Sequence, residues 1–521
     1  MSNVTKYVID SNMLSFIPRS TYYANLSEQV RSVEKSWEDL LKVDRELFSL
    51  LMILPGTTYS KGRMVHYLLS TAGNDDVEPV LEDALIVFNL KQMPMSHALR
   101  SLMFLAGEDY AGMSLKKVNN TRTRKIIMNY LFDRDKQSLE AMCVKFRGKL
   151  AKLLVHAFGQ YDLYNLMNLN DFSKLSKYLV GINGATLLPR NECFSAIAFA
   201  VGRFDYVTDL GGVVGDYLLM RKFAIDKNVT GFINTLKGSK IPFEVALGFR
   251  NTYKLDVDLS SIHKEGHKSE RGKLKTREAS KRVGVDTKVD YAKQSLEDLY
   301  KYVYLKTIDQ EDDSTDTEEA YNALADKMVA DKPIDIDFGD AVVIIDTSAS
   351  MEGDETRKYH PIITANIIAN RIPNCRRYYF SNEDARISST LVKPSGETEL
   401  WRCLIKAARQ TPDTIIVISD GYENTIGGIF EHVYQYMKHA GILSPSVKLI
   451  HINPVYDAEV RGGKRLVSSI EPIAVANADL FQSQYIIHTL TEGNVVEVKQ
   501  LLRNMAQAKL GGSTYELITG K

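Results

Sequence analysis

The chain has 521 residues, of which 44% are hydrophobic and 25% charged, and its Lys+Arg and Asp+Glu totals are equal at 65. This length is too great for one compact core, so we expect two or three domains. Zero net charge excludes a general attraction to nucleic acid, and any such role requires local basic patches. The opening residues lack a basic segment followed by an apolar core, and no apolar stretch approaches the span of a bilayer. We therefore expect a cytoplasmic protein with no signal peptide and no membrane contact.

The first part of the chain has a helical pattern. From residue 26 to residue 305 the apolar positions recur at helical spacing, in segments separated by short polar turns. Sequential helical hairpins of this kind stack into a HEAT-like solenoid, whose concave surface usually binds something extended. We therefore predict a helical-repeat domain over residues 1–305. Its clearest helical segments are 37–54, 79–90, 125–132, 138–158, 172–181 and 191–201.

Two groups of basic residues in this part are candidates for contact with the phosphates of a nucleic acid. Most of the first group recurs at three- and four-residue spacing, which would make one helical face cationic. A solvated helix face explains this group at least as well, because amphipathic helices routinely carry lysine stripes. The second group falls in the polar segment 262–282, which we expect to be a long exposed loop. The candidates are Lys145, Arg147, Lys149, Lys152 and His156 in the first group and Arg271, Lys273 and Lys275 in the second.

The remainder of the chain changes character twice. Residues 306–337 are rich in Asp and Glu, and we predict an acidic linker with a short helix up to residue 329. Residues 338–521 alternate buried-strand patterns with helices, which indicates an α/β, Rossmann-like domain with a parallel sheet. The predicted strands are 340–346, 377–381, 414–419 and 447–453, and the predicted helices are 360–370, 400–408, 429–440 and 495–508.

Oxygen-bearing side chains follow the first predicted strand. Asp346, Ser348 and Ser350 occupy alternate positions after an apolar run, so on an extended backbone they project to one side and can converge on one ion. Thr398, in a glycine-containing loop, and Asp420, at the end of another buried strand, can complete the set. Oxygen-only ligands favour Mg²⁺, Ca²⁺ or Mn²⁺. A lone DxSxS motif also suits a helix cap, but three segments in this order favour a metal site.

This order, DxSxS, then Thr in a Gly-x-Thr loop, then a strand ending in Asp-Gly, resembles the metal-ion-dependent adhesion site of von Willebrand factor A domains. All five positions of that pattern are present. The resemblance implies that Ser348, Ser350 and Thr398 bind the ion directly or nearly so, and that Asp346 and Asp420 act directly or through water. It also implies an open coordination position that a carboxylate of a protein partner can occupy. Mg²⁺ is the ion we expect first.

Residues 242–254 and 271–275, followed by the metal-site domain, resemble the Ro (TROVE) ribonucleoproteins. The resemblance extends to the basic helix ending in Lys149, Lys152 and His156, and to residues 56–59. In that family a helical-repeat ring is closed by a von Willebrand factor A domain. The ring binds small non-coding RNAs on its outside and single-stranded RNA ends in its central hole. The resemblance therefore implies an RNA-binding ribonucleoprotein scaffold.

Two other functions remain open from the sequence. One is a protein-interaction adaptor whose A-like domain presents substrates to a separate AAA-type ATPase, and the other is a metal-dependent hydrolase. The chain has no GxxxxGK[ST], HExxH or GxSxG motif. No His, Lys or Glu stands beside the metal residues in a motif that would serve as a general base. We therefore expect no enzymatic activity.

Overall fold

The structure is a computed structural model that describes residues 9–18, 26–71, 79–109, 115–159, 190–208, 210–355, 357–381, 388, 391–423, 427–455 and 464–511. The described chain is mostly helical, with a small parallel sheet in its C-terminal region. The predicted helix over 172–181 lies outside the described residues. Among the described helices, none combines the length and the apolar character needed to cross a bilayer.

Helices fill the first part of the chain. Short polar side chains begin several of them by accepting a hydrogen bond from a free backbone N–H group of the first turn. Asn120 accepts from the backbone of Thr123, and Asp135 accepts from that of Ser138. The helices are α1 (Leu26–Val43), α2 (Arg45–Leu50), α3 (Thr58–Ser70), α4 (Pro79–Gln92), α5 (Met95–Met103), α6 (Thr121–Phe132), α7 (Lys136–Phe158), α8 (Arg190–Ala200), α9 (Val213–Ile225), α10 (Val229–Leu236) and α11 (Phe243–Tyr253).

The polar segment 262–282 is not the exposed loop that its composition predicts. It contains the end of α12 (Leu259–Glu265) and the whole of α13 (Glu270–Arg282). Ser269 begins α13 by accepting from the backbone N–H group of Gly272. Arg277 is buried on its inner face and donates to the carboxylate of Asp316. This long-range ion pair, which composition does not reveal, fixes the highly charged helix against the body of the protein.

The acidic segment is not an extended linker between two halves. α14 (Leu296–Tyr304) and α15 (Thr315–Ala330) pack against each other. Tyr304 and Leu324 are fully buried in the same hydrophobic core as the first strand. The predicted boundary at residue 305 therefore falls inside a packed unit, whereas the helix predicted up to residue 329 is confirmed as the 16-residue α15. Its acidic composition is misleading because Glu318 and Glu319 lie on the exposed face.

Five parallel strands form the sheet, in the order β2-β1-β3-β4-β5. The central strand is buried along its whole length, as expected for a parallel sheet covered on both faces. Val343 belongs to the core on one face and Val342 to the core on the other, because successive side chains alternate. The four predicted strands are each found to within one residue at either end. The strands are β1 (Ala341–Asp346), β2 (Arg376–Phe380), β3 (Thr414–Ile418), β4 (Lys448–Asn453) and the unpredicted β5 (Ile473–Ala474).

Helices cover both faces of this sheet. One face packs with α14, α15 and α16 (His360–Arg371), and the other packs with α17 (Trp401–Ala408) and α18 (Ile429–His439). These last three helices agree with the predicted ones to within one residue. The two layers of helices leave the carboxyl ends of β1 and β3 as the edge where side chains can converge.

The last two helices complete the core of the first part of the chain. They are α19 (Phe481–Thr491) and α20 (Val495–Leu510), and α20 packs against α2 and α4. Ile487 and Leu502 are fully buried in the core that the first helices build. Lys499 Nζ lies 2.9 Å from a carboxylate oxygen of Asp44. The predicted domain 338–521 is therefore not a separate unit, because its end belongs to the core of the other half.

Candidate metal centre

The five predicted metal residues come from three segments at one edge of the sheet. Asp346 is the last residue of β1, and Asp420 follows the neighbouring strand β3 by two residues. Parallel pairing of these strands, with Ile345 opposite Ile418, carries both carboxylates to the same edge. The crevice at this edge is where open α/β sheets place their ligands.

Hydrogen bonds hold the DxSxS segment in one arrangement. The backbone N–H group of Ser348 donates to Asp346 Oδ1 at 2.9 Å, and the hydroxyl of Ser419 donates to Asp346 Oδ2 at 2.7 Å. The hydroxyl oxygens of Ser348 and Ser350 are 3.0 Å apart. Asp346 and Ser348 are fully buried, whereas Ser350 is exposed. The site therefore has a buried floor and an open side.

The loop that carries Thr398 is attached directly to this segment. The N–H group of Ala349 donates to the Gly396 carbonyl at 3.0 Å, and that of Ser395 donates to the Thr347 carbonyl at 2.8 Å. Gly396 has a φ of +72°, a conformation that glycine adopts without strain. Thr398 is 1% exposed, and its hydroxyl has no hydrogen-bond partner among the described residues. A buried hydroxyl without a partner is costly, and a bound cation would satisfy it.

Electrostatics at the two carboxylates favour a positively charged ligand. Burial, together with repulsion from Asp420, raises the pKa of Asp346 to about 6. Burial also raises the pKa of Asp420, although the hydroxyl of Ser350 and the charge of Lys464 act in the opposite direction. Two buried carboxylates that repel each other are stabilised by a divalent cation between them.

The ligand set also limits which metal can bind. Across the described ranges there is no cluster of three or more His, Cys, Asp or Glu side chains placed to hold a metal. The site offers two carboxylates and three hydroxyl groups instead. Such hard oxygen ligands suit Mg²⁺, Mn²⁺ or Ca²⁺ and do not suit zinc or copper. The residues present therefore fit the predicted divalent ion.

A glycine allows the turn after Asp420. Gly421 has a φ of +81°, and a β-carbon there would collide with the carbonyl oxygen of Lys464. The Asp-Gly pair of the motif thus has a steric reason: any side chain at residue 421 would displace the segment carrying Lys464 or the strand end carrying Asp420.

Sequence reasoning missed residues that support the loops of the candidate metal centre. Ser419, which binds Asp346, stands beside Asp420 in the motif and could have been noticed on that ground. Tyr304 could not, because it is distant in sequence. Its hydroxyl donates to the Val392 carbonyl at 3.0 Å, near the start of the Thr398 loop. Asp309, five residues further on, accepts from Lys358 and from the Tyr359 hydroxyl at 2.7 and 2.6 Å.

The first group of predicted RNA residues lies on α7 but is only partly free. Lys145 pairs with Glu244 and Lys152 with Glu108, each at 3.0 Å, and His156 Nε2 lies 2.8 Å from the Val118 carbonyl. Lys149 has no ion pair or hydrogen bond among the described residues. Phe146 has non-helical φ and ψ angles of −122° and 24°, so α7 is kinked between Lys145 and the rest of the stripe, and Arg147 lies on a different side of the helix from Lys149. The stripe is therefore less cationic than its spacing predicts.

The second group lies on α13. Arg271 pairs with Asp298 at 2.8 Å and Lys273 with Glu270 at 2.7 Å, whereas Lys275 is exposed and has no ion pair within the described chain. The Arg271 side chain is largely exposed, and a pair of this kind contributes little to stability, so this cation remains available to a stronger ligand, whereas Lys273 and Glu270 are only partly exposed. No hydrogen bond or ion pair joins the two groups in the part of the chain that the structure describes.

Comparison with known proteins adds nothing to these observations. No model of a protein family matches the chain, and a search of curated proteins found no match. The functional assignment therefore depends on the resemblances in the motifs and on the geometry given above.

Proposed function

We propose that this chain is a cytoplasmic RNA-binding scaffold of the Ro type, with small non-coding or single-stranded RNA as its ligand. In this proposal the helical part is a HEAT-like solenoid bent into a ring, and the C-terminal α/β unit is a von Willebrand factor A-like domain that closes it. The proposal includes no catalytic step.

The observation that carries the proposal is the contact between the two ends of the chain. α20 is buried against α2 and α4, and Arg277 of α13 donates to Asp316 of α15, which together with α14 is buried against the sheet. The C-terminal unit thus touches both the beginning and the end of the helical part. A closed ring requires both contacts, whereas a rod of helices with a dangling domain has only one.

We further propose that Asp346, Ser348, Ser350, Thr398 and Asp420 hold one divalent cation, with Mg²⁺ the first candidate. The bound ion would neutralise the two carboxylates and would bind the unpartnered hydroxyl of Thr398. The exposed side of the site, at Ser350, is where a carboxylate of a protein partner would reach the ion.

RNA binding is tested by purifying the protein and measuring its ratio of absorbance at nucleic-acid and protein wavelengths. Binding of a single-stranded RNA is then measured over a salt series, with and without EDTA. We expect affinity to fall steeply with salt and to persist in EDTA, because phosphate contacts do not use the metal. A double variant, Lys149→Glu with Lys275→Glu, should weaken binding and reduce the salt slope by about 0.7 for each phosphate that is no longer neutralised. Absence of RNA binding would refute the proposal.

The second candidate is the adaptor for an AAA-type ATPase, and the observation that favours it is the exposed side of the candidate metal centre at Ser350. An ion site with an exposed side suits recognition of an acidic residue on another protein. The same experiment separates the two functions, since an adaptor would bind its partner only with the metal present and would not bind RNA.

A further inference from the structure

An aromatic ring beside α7 holds two arginine side chains. The guanidinium carbons of Arg147 and Arg221 each lie 5.0 Å from the centre of the Phe204 ring. The two carbons are therefore no further apart than twice that distance. Arg147 is on α7, Arg221 is on α9, and Phe204 is in the turn after α8, so three separate elements build the group.

The ring is held rigidly beneath the two arginines. Gly202, with a φ of +84°, turns the chain two residues after the end of α8. Arg203 donates its backbone N–H group to the Ala198 carbonyl at 2.8 Å. The Phe204 ring then packs 5.7 Å from the ring of Phe199, which is fully buried. Because packing against Phe199 fixes the Phe204 ring, the ring orders the two guanidinium groups, and it does so without neutralising their charge.

Neither charge is compensated within the described chain. Arg147 and Arg221 have no ion pair and no hydrogen bond there, and both are partly exposed. Arginines that stabilise the fold behave differently, because carboxylates accept their N–H groups. Examples are Arg45 with Glu82, Arg371 with Asp331, and Arg503 with Glu46.

We propose that Arg147, Phe204 and Arg221 form a phosphate-binding site, and that the ligand is the phosphodiester backbone of single-stranded RNA. Each guanidinium has five N–H donors in a planar fork that matches two phosphate oxygens. Two such forks, already ordered by one ring and not neutralised, bind an anion with little loss of side-chain entropy. The inference rests on the proposed function and adds Phe204 and Arg221, which the sequence pattern alone does not single out.

The test is fluorescence anisotropy of a labelled uridine oligonucleotide over a potassium chloride series. The double variant Arg147→Gln with Arg221→Gln should bind at least about tenfold more weakly and lower the salt slope by about 0.7, which is the contribution of one phosphate neutralised on a single strand. Phe204→Leu keeps both charges and most of the apolar volume. It should weaken binding less and leave the slope near that of the wild type, because only the ordering of the guanidinium groups is removed.

Arg402→Gln is the matched control. Its guanidinium also lies over an aromatic ring, 5.2 Å from the centre of Trp401, but it pairs with Glu399 at 2.9 Å. RNA binding should not change in this variant. The helical circular dichroism and thermal midpoint of every variant are compared with the wild type, so that unfolding is not mistaken for weaker binding.

The outcomes separate this inference from the function on which it rests. Wild-type protein that binds RNA, together with a double variant of equal affinity and slope, would overturn the phosphate site alone. Wild-type protein that does not bind RNA would overturn both. Displacement of the oligonucleotide by inorganic phosphate at constant ionic strength tests the other source of the same chemistry. If the affinity for phosphate depends on the two arginines and the affinity for RNA does not, the site binds free phosphate and the RNA proposal is overturned.

Discussion

The hydroxyl of Tyr304, at the end of α14, lies 3.0 Å from the carbonyl oxygen of Val392, at the start of the loop that carries Thr398. The same hydroxyl accepts from Asn366 Nδ2 at 3.3 Å. Tyr304 is fully buried, so these bonds have no competition from water. A residue of α14, far from this loop in the sequence, therefore fixes the start of the loop that carries Thr398.

We expect Tyr304→Phe to weaken metal binding as well as folding. Removing the hydroxyl leaves the Val392 carbonyl without its donor, which costs about 1–3 kcal/mol of unfolding free energy. Because the loop is less well fixed, Mn²⁺ affinity should fall roughly three- to tenfold, or about 1 kcal/mol. Titration calorimetry and denaturant unfolding measure the two effects. Tyr300→Phe, whose hydroxyl donates to Met328 Sδ, is the control and should keep its metal affinity. Unchanged affinity in Tyr304→Phe would refute the positioning role.

Asp346→Asn should abolish metal binding and yet stabilise the ion-free protein at pH 7.5. The ionised carboxylate is buried beside Asp420, and the neutral amide removes that repulsion while keeping a bond acceptor for Ser348. Differential scanning fluorimetry with and without Mg²⁺ measures this: Mg²⁺ should raise the midpoint of the wild type but not that of the variant. Asp340→Asn, at the opposite end of β1 and paired with Arg376, is the control. A variant that still gains stability from Mg²⁺ would exclude Asp346 as a ligand.

The same carboxylate sets a dependence on pH. Its folded pKa is about 6, above its ordinary value of 3.8, so the folded state retains the proton longer than the unfolded state. In the ion-free protein the protonated Asp346 carboxyl therefore makes its full contribution to the free energy of unfolding below pH 3.8. This contribution, about 3 kcal/mol in total, is lost as the pH rises through about 6. Metal affinity should change in the opposite sense and rise with pH across that range, since the proton must leave. Calorimetry at pH 5, 6 and 7 would contradict this if it gave equal affinities.

Thr398→Val tests the unpartnered hydroxyl. Valine has the same shape but no polar atom, so the ion-free protein should keep or slightly gain unfolding free energy. Metal affinity should fall, because one oxygen ligand is removed. Thr398→Ser keeps the hydroxyl and should retain most of the affinity. If valine and serine gave the same affinity, the hydroxyl would not be a ligand.

Features that depend on local pattern could be predicted from the sequence. The four strands and the order of Asp346, Ser348, Ser350, Thr398 and Asp420 are examples, because buried strands are runs of apolar residues and their carboxyl ends share one edge. The structure brings the three segments together by bonds such as that from Ala349 to Gly396.

Features that depend on contacts between distant residues could not be predicted. α13 is so charged that its composition favours a loop, and contacts with distant residues, such as its ion pair with Asp316, explain its order. α20 follows the strands in the chain, so its position suggests that it belongs to the C-terminal domain. Its apolar face does not indicate which of the two cores it packs against. Tyr304 is 88 residues from Val392, and nothing in its sequence context distinguishes it from a buried tyrosine that makes no such contact.

Leu502→Ala should destabilise the first helices, although it lies near the end of the chain. Leu502 is fully buried in the core shared by α20 and the first part, so truncation leaves a cavity that costs about 2–5 kcal/mol. Hydrogen exchange should show reduced protection in α2, which α20 covers, and not in β3. Val496→Ala on the same helix is the control: Val496 is 77% exposed, and its truncation should change the free energy of unfolding by less than about 0.5 kcal/mol. Normal protection of α2 in Leu502→Ala would mean that α20 is a detachable tail, and the proposed ring would then lack its closing contact.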